Sequence, residues 1–337
     1  MSDLKLRIAT RKSALALAQT TMAADAIVAA NAAAEPLTYE LVSMTTEGDR
    51  RLDKSLASFG GKGVFIKELE IALLEDRADI AIHSLKDMPA EVLPQFKLAA
   101  VLKREDPRDA FLSRGGAAGV RFMDLPAGSR VGTGSIRRVV QLKALRSDLE
   151  YVPIRGNIQT RIGKLAELDG VVLAAAGLKR MGLADQVTEY FSTEQMLPAS
   201  GQGILAIETL NDETAQETRN SRRTDIVQIL ARANDVATFC IASAEMSYLK
   251  ALNAGCQFPV ASFAEFISDD SVEDRGTCGA LEENARTLKI RGIYWDEKSS
   301  RLLRAENSGA IDLNSADSVQ QAKNLGIALA REIQKQL

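Results

Sequence analysis

A chain of 337 residues favours two or three domains, and 46% hydrophobic with 26% charged residues gives apolar material for several cores. A net charge of −3 weighs against a generic nucleic-acid binder, which is usually basic overall. Three cysteines in so long a chain argue against a disulfide framework, and no stretch is long enough to span a bilayer, so a reducing cytoplasm and no membrane are expected.

Strand and helix signals alternate through the first two thirds. Residues 4–10 read as a strand, and the alanine-rich run 13–34 as a helix with Ser13 its N-cap. Residues 39–45 read as a second strand. Phe59-Gly60-Gly61-Lys62-Gly63 is too glycine-rich to be regular and is expected to be a mobile loop. An amphipathic helix over 65–75 and apolar strands over 78–83 and 96–102 complete a βαβ rhythm. The charged, proline-bearing run 104–109 reads as a crossover, after which the rhythm restarts. Strands are expected over 130–133, 151–154 and 171–176, with helices over 135–145 and 157–168. Residues 197–203 form a second irregular connector, and a strand over 204–208 returns to the first domain. The last third changes character: a helix over 234–252, strands over 258–267, 287–295 and 301–306, and a helix over 315–336. The expected domains are 1–103 with 204–226 (α/β), 104–203 (α/β) and 227–337, a small α+β unit with a three-stranded antiparallel sheet.

Four segments place basic residues at strand-to-helix junctions. Gly132-Thr133-Gly134-Ser135 follows a strand and opens a helix, where free N–H groups and the helix dipole favour an anion. It lacks the third glycine of the dinucleotide fingerprint and a Walker lysine, so a nucleotide is not indicated. A plain tight turn explains the glycines equally well; Arg137 and Arg138 directly after tilt the reading toward a carboxylate or phosphate. Arg155-Gly156-Asn157, with Arg161 one turn on, repeats the logic, although a solvated basic face is the usual fate of such arginines. In open α/β sheets, ligands gather at the carboxyl ends of strands. His83-Ser84-Leu85-Lys86-Asp87 ends a buried-looking strand. Asp87 there suits either a turn aspartate or a group that binds ring N–H donors and offsets a cation. Cys256 follows a glycine at a helix-to-strand junction and is either an apolar filler or a nucleophile. Cys240 fits the filler reading, and Cys278 lies in an acidic run. With His83 the single histidine and no zinc-like spacing, no metal is expected.

The run Arg7-Ile8-Ala9-Thr10-Arg11-Lys12-Ser13 is followed in order by Gly60-Gly61-Lys62-Gly63-Val64-Phe65 and Ala81-Ile82-His83-Ser84-Leu85-Lys86-Asp87-Met88-Pro89. Then come Arg104-Glu105-Asp106-Pro107-Arg108-Asp109-Ala110-Phe111, Gly132-Thr133-Gly134-Ser135-Ile136-Arg137-Arg138, Arg155-Gly156-Asn157, Gly177-Leu178-Lys179-Arg180 and Gly255-Cys256-Gln257. Together they resemble the porphobilinogen deaminase (hydroxymethylbilane synthase) family over nearly the whole chain. The resemblance implies two periplasmic-binding-protein-like α/β domains and a third domain carrying Cys256. It also implies a dipyrromethane cofactor held to Cys256 by a thioether. The implied partners are porphobilinogen and its linear oligopyrrole intermediates; four porphobilinogen units would be joined head to tail with loss of ammonia, by a monomer with no nucleic-acid partner.

Residue by residue, Asp87 matches the catalytic aspartate of the family. Arg11, Ser13, Ser84, Lys86, Thr133, Ser135, Arg137, Arg138, Arg155, Gly156, Arg161, Arg180 and Gln202 match cofactor- and substrate-binding positions, and Lys62 and Phe65 match a mobile loop over the cleft. Departures are Ala254 where the family has glycine, Gly134 for serine, Met246 where an arginine is expected, and a long acidic loop over 268–284. Lys250, one helical turn from Met246, is the nearest basic residue that could replace that arginine. A non-catalytic anion-binding protein with the same two-domain cleft would explain the basic loops but neither Cys256 nor Asp87.

Overall fold

The structure is a computed structural model that describes residues 4–34, 36–46, 66–214, 220–254, 258–267 and 285–337, with the backbone alone for 220–223 and 285. Cys256, Cys278, Lys62, Phe65 and the expected loop 59–63 lie outside the described residues.

The first sheet grows from the apolar strand β1 (Leu4–Arg11), which pairs in parallel with β2 (Leu37–Met44) on one side and β3 (Ile80–Ser84) on the other. Beyond β3 lies β10 (Leu205–Leu210), antiparallel to β3 and to the edge strand β4 (Phe96–Val101), so the order is β2-β1-β3-β10-β4. The return strand expected over 204–208 therefore does lie in the first sheet. Helix α1 (Ala14–Asn31) starts where expected: Ser13 holds an extended backbone and its Oγ accepts from the Ala16 N–H at 3.3 Å. Helix α2 (Lys67–Leu74) turns Leu69, Ala72 and Leu73 onto the sheet.

The second sheet repeats the plan. β6 (Arg130–Gly132) pairs in parallel with β7 (Glu150–Val152) and β8 (Gly170–Ala174); β5 (Asp109–Ser113) then runs antiparallel to β8 and to the short β9 (Glu189–Tyr190). Its order, β7-β6-β8-β5-β9, maps onto that of the first sheet. In both sheets the antiparallel strand is the one the chain makes on arriving from the other domain. Helices α3 (Ile136–Leu145), α4 (Ile158–Gly163) and α5 (Ala175–Arg180) follow the parallel strands.

Four elements escape the pattern reading: β9, α5 and, more consequentially, β5 and a helix near 220. β5 is buried at all five positions, but its first residue is charged and completes a charged crossover, so it reads as loop. Helix α6 (Asn220–Ala233) carries Ile226, Ile229 and Leu230 into the same core as Leu6, Ile8 and Ile27, a helical spacing that was there to be read. The expected domain boundary at 226 falls inside this helix. The helix expected over 157–168 leaves α geometry after Gly163 and finishes as a 3₁₀ turn, Lys164–Ala166.

The third domain packs α7 (Val236–Ala251) and α8 (Ser318–Gln334) on the antiparallel strands β11 (Val260–Ile267), β12 (Ala285–Asp296) and β13 (Arg301–Asp312). Glu245 of α7 ties this domain to both crossovers. The fully buried carboxylate accepts from Arg104 Nη1 at 2.7 Å, from the Gly201 N–H at 2.6 Å and from the Ala264 N–H at 2.8 Å. A buried charge is tolerated only when so partnered. No single helix among the described residues is long and apolar enough to cross a membrane.

Candidate active site

The carboxyl ends of the parallel strands of both sheets face one cleft. From the first sheet, β1 delivers Arg11 and the Ser13 cap, and β3 ends at Ser84 before a 3₁₀ turn, Leu85–Asp87. Arg11, Ser13, Gln19, Ile66, Ser84 and Asp87 line a small pocket there. Ser84 Oγ donates to Gln19 Oε1 at 3.2 Å. Asp87 is exposed on the cleft, and among the described residues no hydrogen bond or ion pair engages its carboxylate.

On the second wall, β6 leads through Thr133 and Ser135 into α3, whose first turn has no side-chain cap. Thr133 Oγ1 instead accepts from the Ser135 N–H at 3.3 Å. Gly134 has a steric cause: a Cβ there would lie 2.6 Å from the Ile154 carbonyl oxygen, so a serine would force that backbone aside. Gly156 adopts φ 103°, in the left-handed region that favours glycine, and its carbonyl accepts from Arg161 Nε at 2.8 Å. Asn157 caps α4 by accepting from the Thr160 N–H at 2.8 Å, and Arg155 is exposed beside it.

Arg137 and Arg138 are buried rather than displayed. Arg137 Nη1 donates to Asp109 Oδ2 at 2.7 Å and to the Leu197 carbonyl at 2.7 Å. Arg138 donates to Asp109 Oδ1 through Nε at 3.0 Å and Nη2 at 2.7 Å, and to the Val172 carbonyl through Nη1 at 3.0 Å. Between them Asp109 is 0% exposed, and the two cations hold its carboxyl far below the usual range despite the opposing cost of burial. Sequence reasoning assigns Asp109 no role of its own, although it stands in the run Arg104–Phe111 and heads an apolar stretch, Asp109-Ala110-Phe111-Leu112.

The charges of the two walls feel one another. Burial pushes the Lys86 ammonium down to about 8; Arg138 and Arg137 push the same way, while Asp87 and Asp109 oppose. Arg161 is lowered first by burial, then by Arg138 and Arg155, with Asp87 opposing. Burial also lowers Arg180 to about 10; its Nη2 donates to the Gly203 carbonyl at 2.7 Å, and its buried Nε has no partner among the described residues. Lys86 Nζ donates to Gln202 Oε1 at 3.4 Å. The fold thus brings together the expected Arg11, Ser13, Ser84, Lys86, Asp87, Thr133, Ser135, Arg137, Arg138, Arg155, Gly156, Arg161, Arg180 and Gln202.

Residues 6–218 match the family model described as porphobilinogen deaminase, dipyromethane cofactor binding domain, and residues 239–335 match porphobilinogen deaminase, C-terminal domain. The chain belongs to the porphobilinogen deaminase family. It is 43% identical to the porphobilinogen deaminase of Syntrophus aciditrophicus over 332 residues, covering 97% of this chain and 94% of that one. It is 42% identical to that of Sorangium cellulosum over 333 residues, covering 98% and 99%. Its path also resembles the periplasmic VFT2 domain of Bordetella pertussis BvgS, at 12% identity over 68% of this chain and 86% of that one with a TM-score of 0.34. A Salmonella typhimurium periplasmic binding protein with high arginine specificity gives 16%, 68%, 92% and 0.36 for the same measures. Scores that low support no argument about ligand.

Met246 and Lys250 do not behave as the family pattern suggests. Met246 packs on the apolar cluster of Leu85, Met88 and Ala242, and Lys250 Nζ pairs with the exposed Glu91 at 2.9 Å. Lys250 is engaged with a surface carboxylate in this structure.

Proposed function

We propose that this chain joins four porphobilinogen molecules head to tail into hydroxymethylbilane, on a dipyrromethane primer held through a thioether to Cys256. The observation that carries the reading is Asp87: an exposed carboxylate that no hydrogen bond or ion pair engages among the described residues, in a pocket it shares with Arg11, Ser13 and Ser84. Each porphobilinogen ring bears two carboxylates, so a growing chain is strongly anionic and suits Arg11, Lys86, Arg155 and Arg161. Ser84, Lys86, Thr133, Ser135, Arg138, Arg155, Gly156, Arg161, Arg180 and Gln202 would hold the primer, which when bound supplies a nucleophilic pyrrole end.

Loss of ammonia breaks the aminomethyl C–N bond, the electron pair leaves on nitrogen, and the substrate is left as a cation. Asp87 accepts pyrrole N–H hydrogen bonds and offsets that cation electrostatically. Coupling forms a C–C bond and releases a ring proton; after four couplings water would cleave the bond that joins the new chain to the primer and supply the product's hydroxyl. Arg155 and Arg161 grip side-chain carboxylates, which fixes the orientation of the incoming ring. Asp109 offsets the repulsion between the buried Arg137 and Arg138. Lys62 and Phe65 are the proposed loop contacts over the cleft. The proposed domain plan of 1–103 with 204–226, 104–203 and 227–337 is kept except that the first unit runs on to the end of α6 at Ala233, and a cytoplasmic monomer is the proposed working state.

The test is stoichiometric. Purified protein given porphobilinogen should release four ammonia molecules for each hydroxymethylbilane, read as uroporphyrin after cyclisation and oxidation. Porphobilinogen left unconsumed would sink the reading.

A further inference from the structure

One carboxylate reaches basic groups on both walls of the cleft. Asp109 is the first residue of β5, where the outgoing crossover enters the second sheet, and Gln202 lies in the return crossover. Besides its two arginines, Asp109 Oδ1 accepts from Gln202 Nε2 at 2.9 Å, and the same Nε2 donates to the Pro107 carbonyl at 2.8 Å. Two acceptors around one end of the amide fix its orientation. The flipped amide would set its oxygen against a carboxylate and a carbonyl, and its N–H donors against an ammonium. Gln202 Oε1 is thereby left to accept from Lys86 on the first wall at 3.4 Å, at the long end of the hydrogen-bond range. Gln202 is 1% exposed and Asp109 0%, so the contact between them is shielded from bulk water, while the Lys86 contact is partly buried.

We propose that Asp109 is a positioning residue for the reaction: it orients Arg137 and Arg138 directly, and through Gln202 it orients Lys86 and keeps it charged. The proposal deepens the oligopyrrole reading of this cleft and rests on it. Among the described residues, the charged groups acting on Lys86 include Asp87, Arg138, Asp109 and Arg137. Removing the negative charge of Asp109 takes away one carboxylate that favours the ammonium and leaves the opposing push of Arg137 and Arg138, which disfavours the protonated form of Lys86. Replacing Gln202 removes an acceptor that stabilises the ammonium while leaving both arginine pairs intact. In either case Lys86 loses its proton at lower pH, and with it the ability to hold a substrate carboxylate.

The experiment is the pH dependence of Lys86 acylation by trace acetic anhydride, read by peptide mass spectrometry on the full purified chain. In the unaltered protein Lys86 should titrate near its depressed value of about 8. Gln202→Met should lower that midpoint by at least about half a unit, and Asp109→Asn should lower it further. The alkaline limb of porphobilinogen consumption should move the same way. Asp109→Asn removes the charge between two buried arginines and is scored only if its near-UV circular dichroism matches the parent; Gln202→Met decides the question regardless. A purely structural role for the pair would lower the melting temperature and leave the Lys86 midpoint in place, and that result in Gln202→Met overturns the relay. A chain that consumes no porphobilinogen would sink the functional reading, whereas the Lys86 titration would still decide the relay.

Discussion

The two walls of the cleft share a strand order but handle charge in opposite ways. In the second wall an acid at the head of the antiparallel strand, Asp109, is fully buried and held by two arginines. In the first wall the acid at the cleft, Asp87, is exposed and unengaged among the described residues, and the buried acid of the antiparallel strand is Glu208. Glu208 accepts from His83 Nε2 at 2.9 Å, while its Oε1 has no partner among the described residues. The contrast separates two uses of a carboxylate. A neutralised, buried one fixes the direction of cations; one left open to the cleft can meet a cation that exists only during the reaction.

The sharpest way to break this comparison is to neutralise the open acid. Asp87→Asn keeps the shape and removes the charge, and turnover should fall on the order of a hundredfold or more with the melting temperature close to the parent's. Near-normal turnover would show that Asp87 is an ordinary turn residue. The next largest effect distinguishes two arginines that look alike in the sequence. Arg137→Leu takes a partner from buried Asp109 and should destabilise the fold by about 3–5 kcal/mol. Arg155→Leu, at an exposed position, should leave chemical denaturation unchanged and lose roughly 1.5–3 kcal/mol of binding to the growing chain. Equal denaturation midpoints for the two variants would contradict the assignment of Arg137 to Asp109.

A smaller effect tests the back of the first wall. Glu70 is pushed up to about 7 from 4.5, first by burial and then by Glu208, with His83 opposing. A carboxyl raised in the folded state contributes stability that is fully present below the unfolded value of 4.5 and is lost as pH rises through about 7. Melting temperatures should therefore decline across that window, and Glu70→Gln should flatten the decline. An unchanged slope in Glu70→Gln would assign the dependence to another group. The smallest effect concerns Lys250, whose surface pair with Glu91 is worth roughly 0–1 kcal/mol. Lys250→Ala should leave the enzyme–intermediate ladder on native gels as in the parent; a changed ladder would mean that Lys250 leaves Glu91 for the substrate.

Much of the architecture was legible because the junction chemistry is local. Ser13 before an alanine-rich run and Asn157 before Ile158 both became helix caps, and the apolar stretch at 80–83 became a buried strand. The return of the chain at 205 could be read because a connector rich in small residues precedes an apolar strand. Partnerships at long range could not be read. Nothing near Asp109 in the sequence says that Arg137 and Arg138, 28 and 29 residues on, will close around it, nor that Gln202, 93 residues on, will join them. The basic residues were recognisable as a set, but which would be buried and which would face the cleft depended on strand order. Glu245 was hidden for the same reason: its three partners come from both crossovers and from β11.

The most direct test of the central claim is the intact mass of the purified chain. It should exceed the sequence mass by two condensed porphobilinogen units, Cys256→Ala should restore the bare mass, and Cys278→Ala should keep the adduct. An adduct that survives on Cys256→Ala, or its absence from active unaltered protein, would contradict a primer held at Cys256.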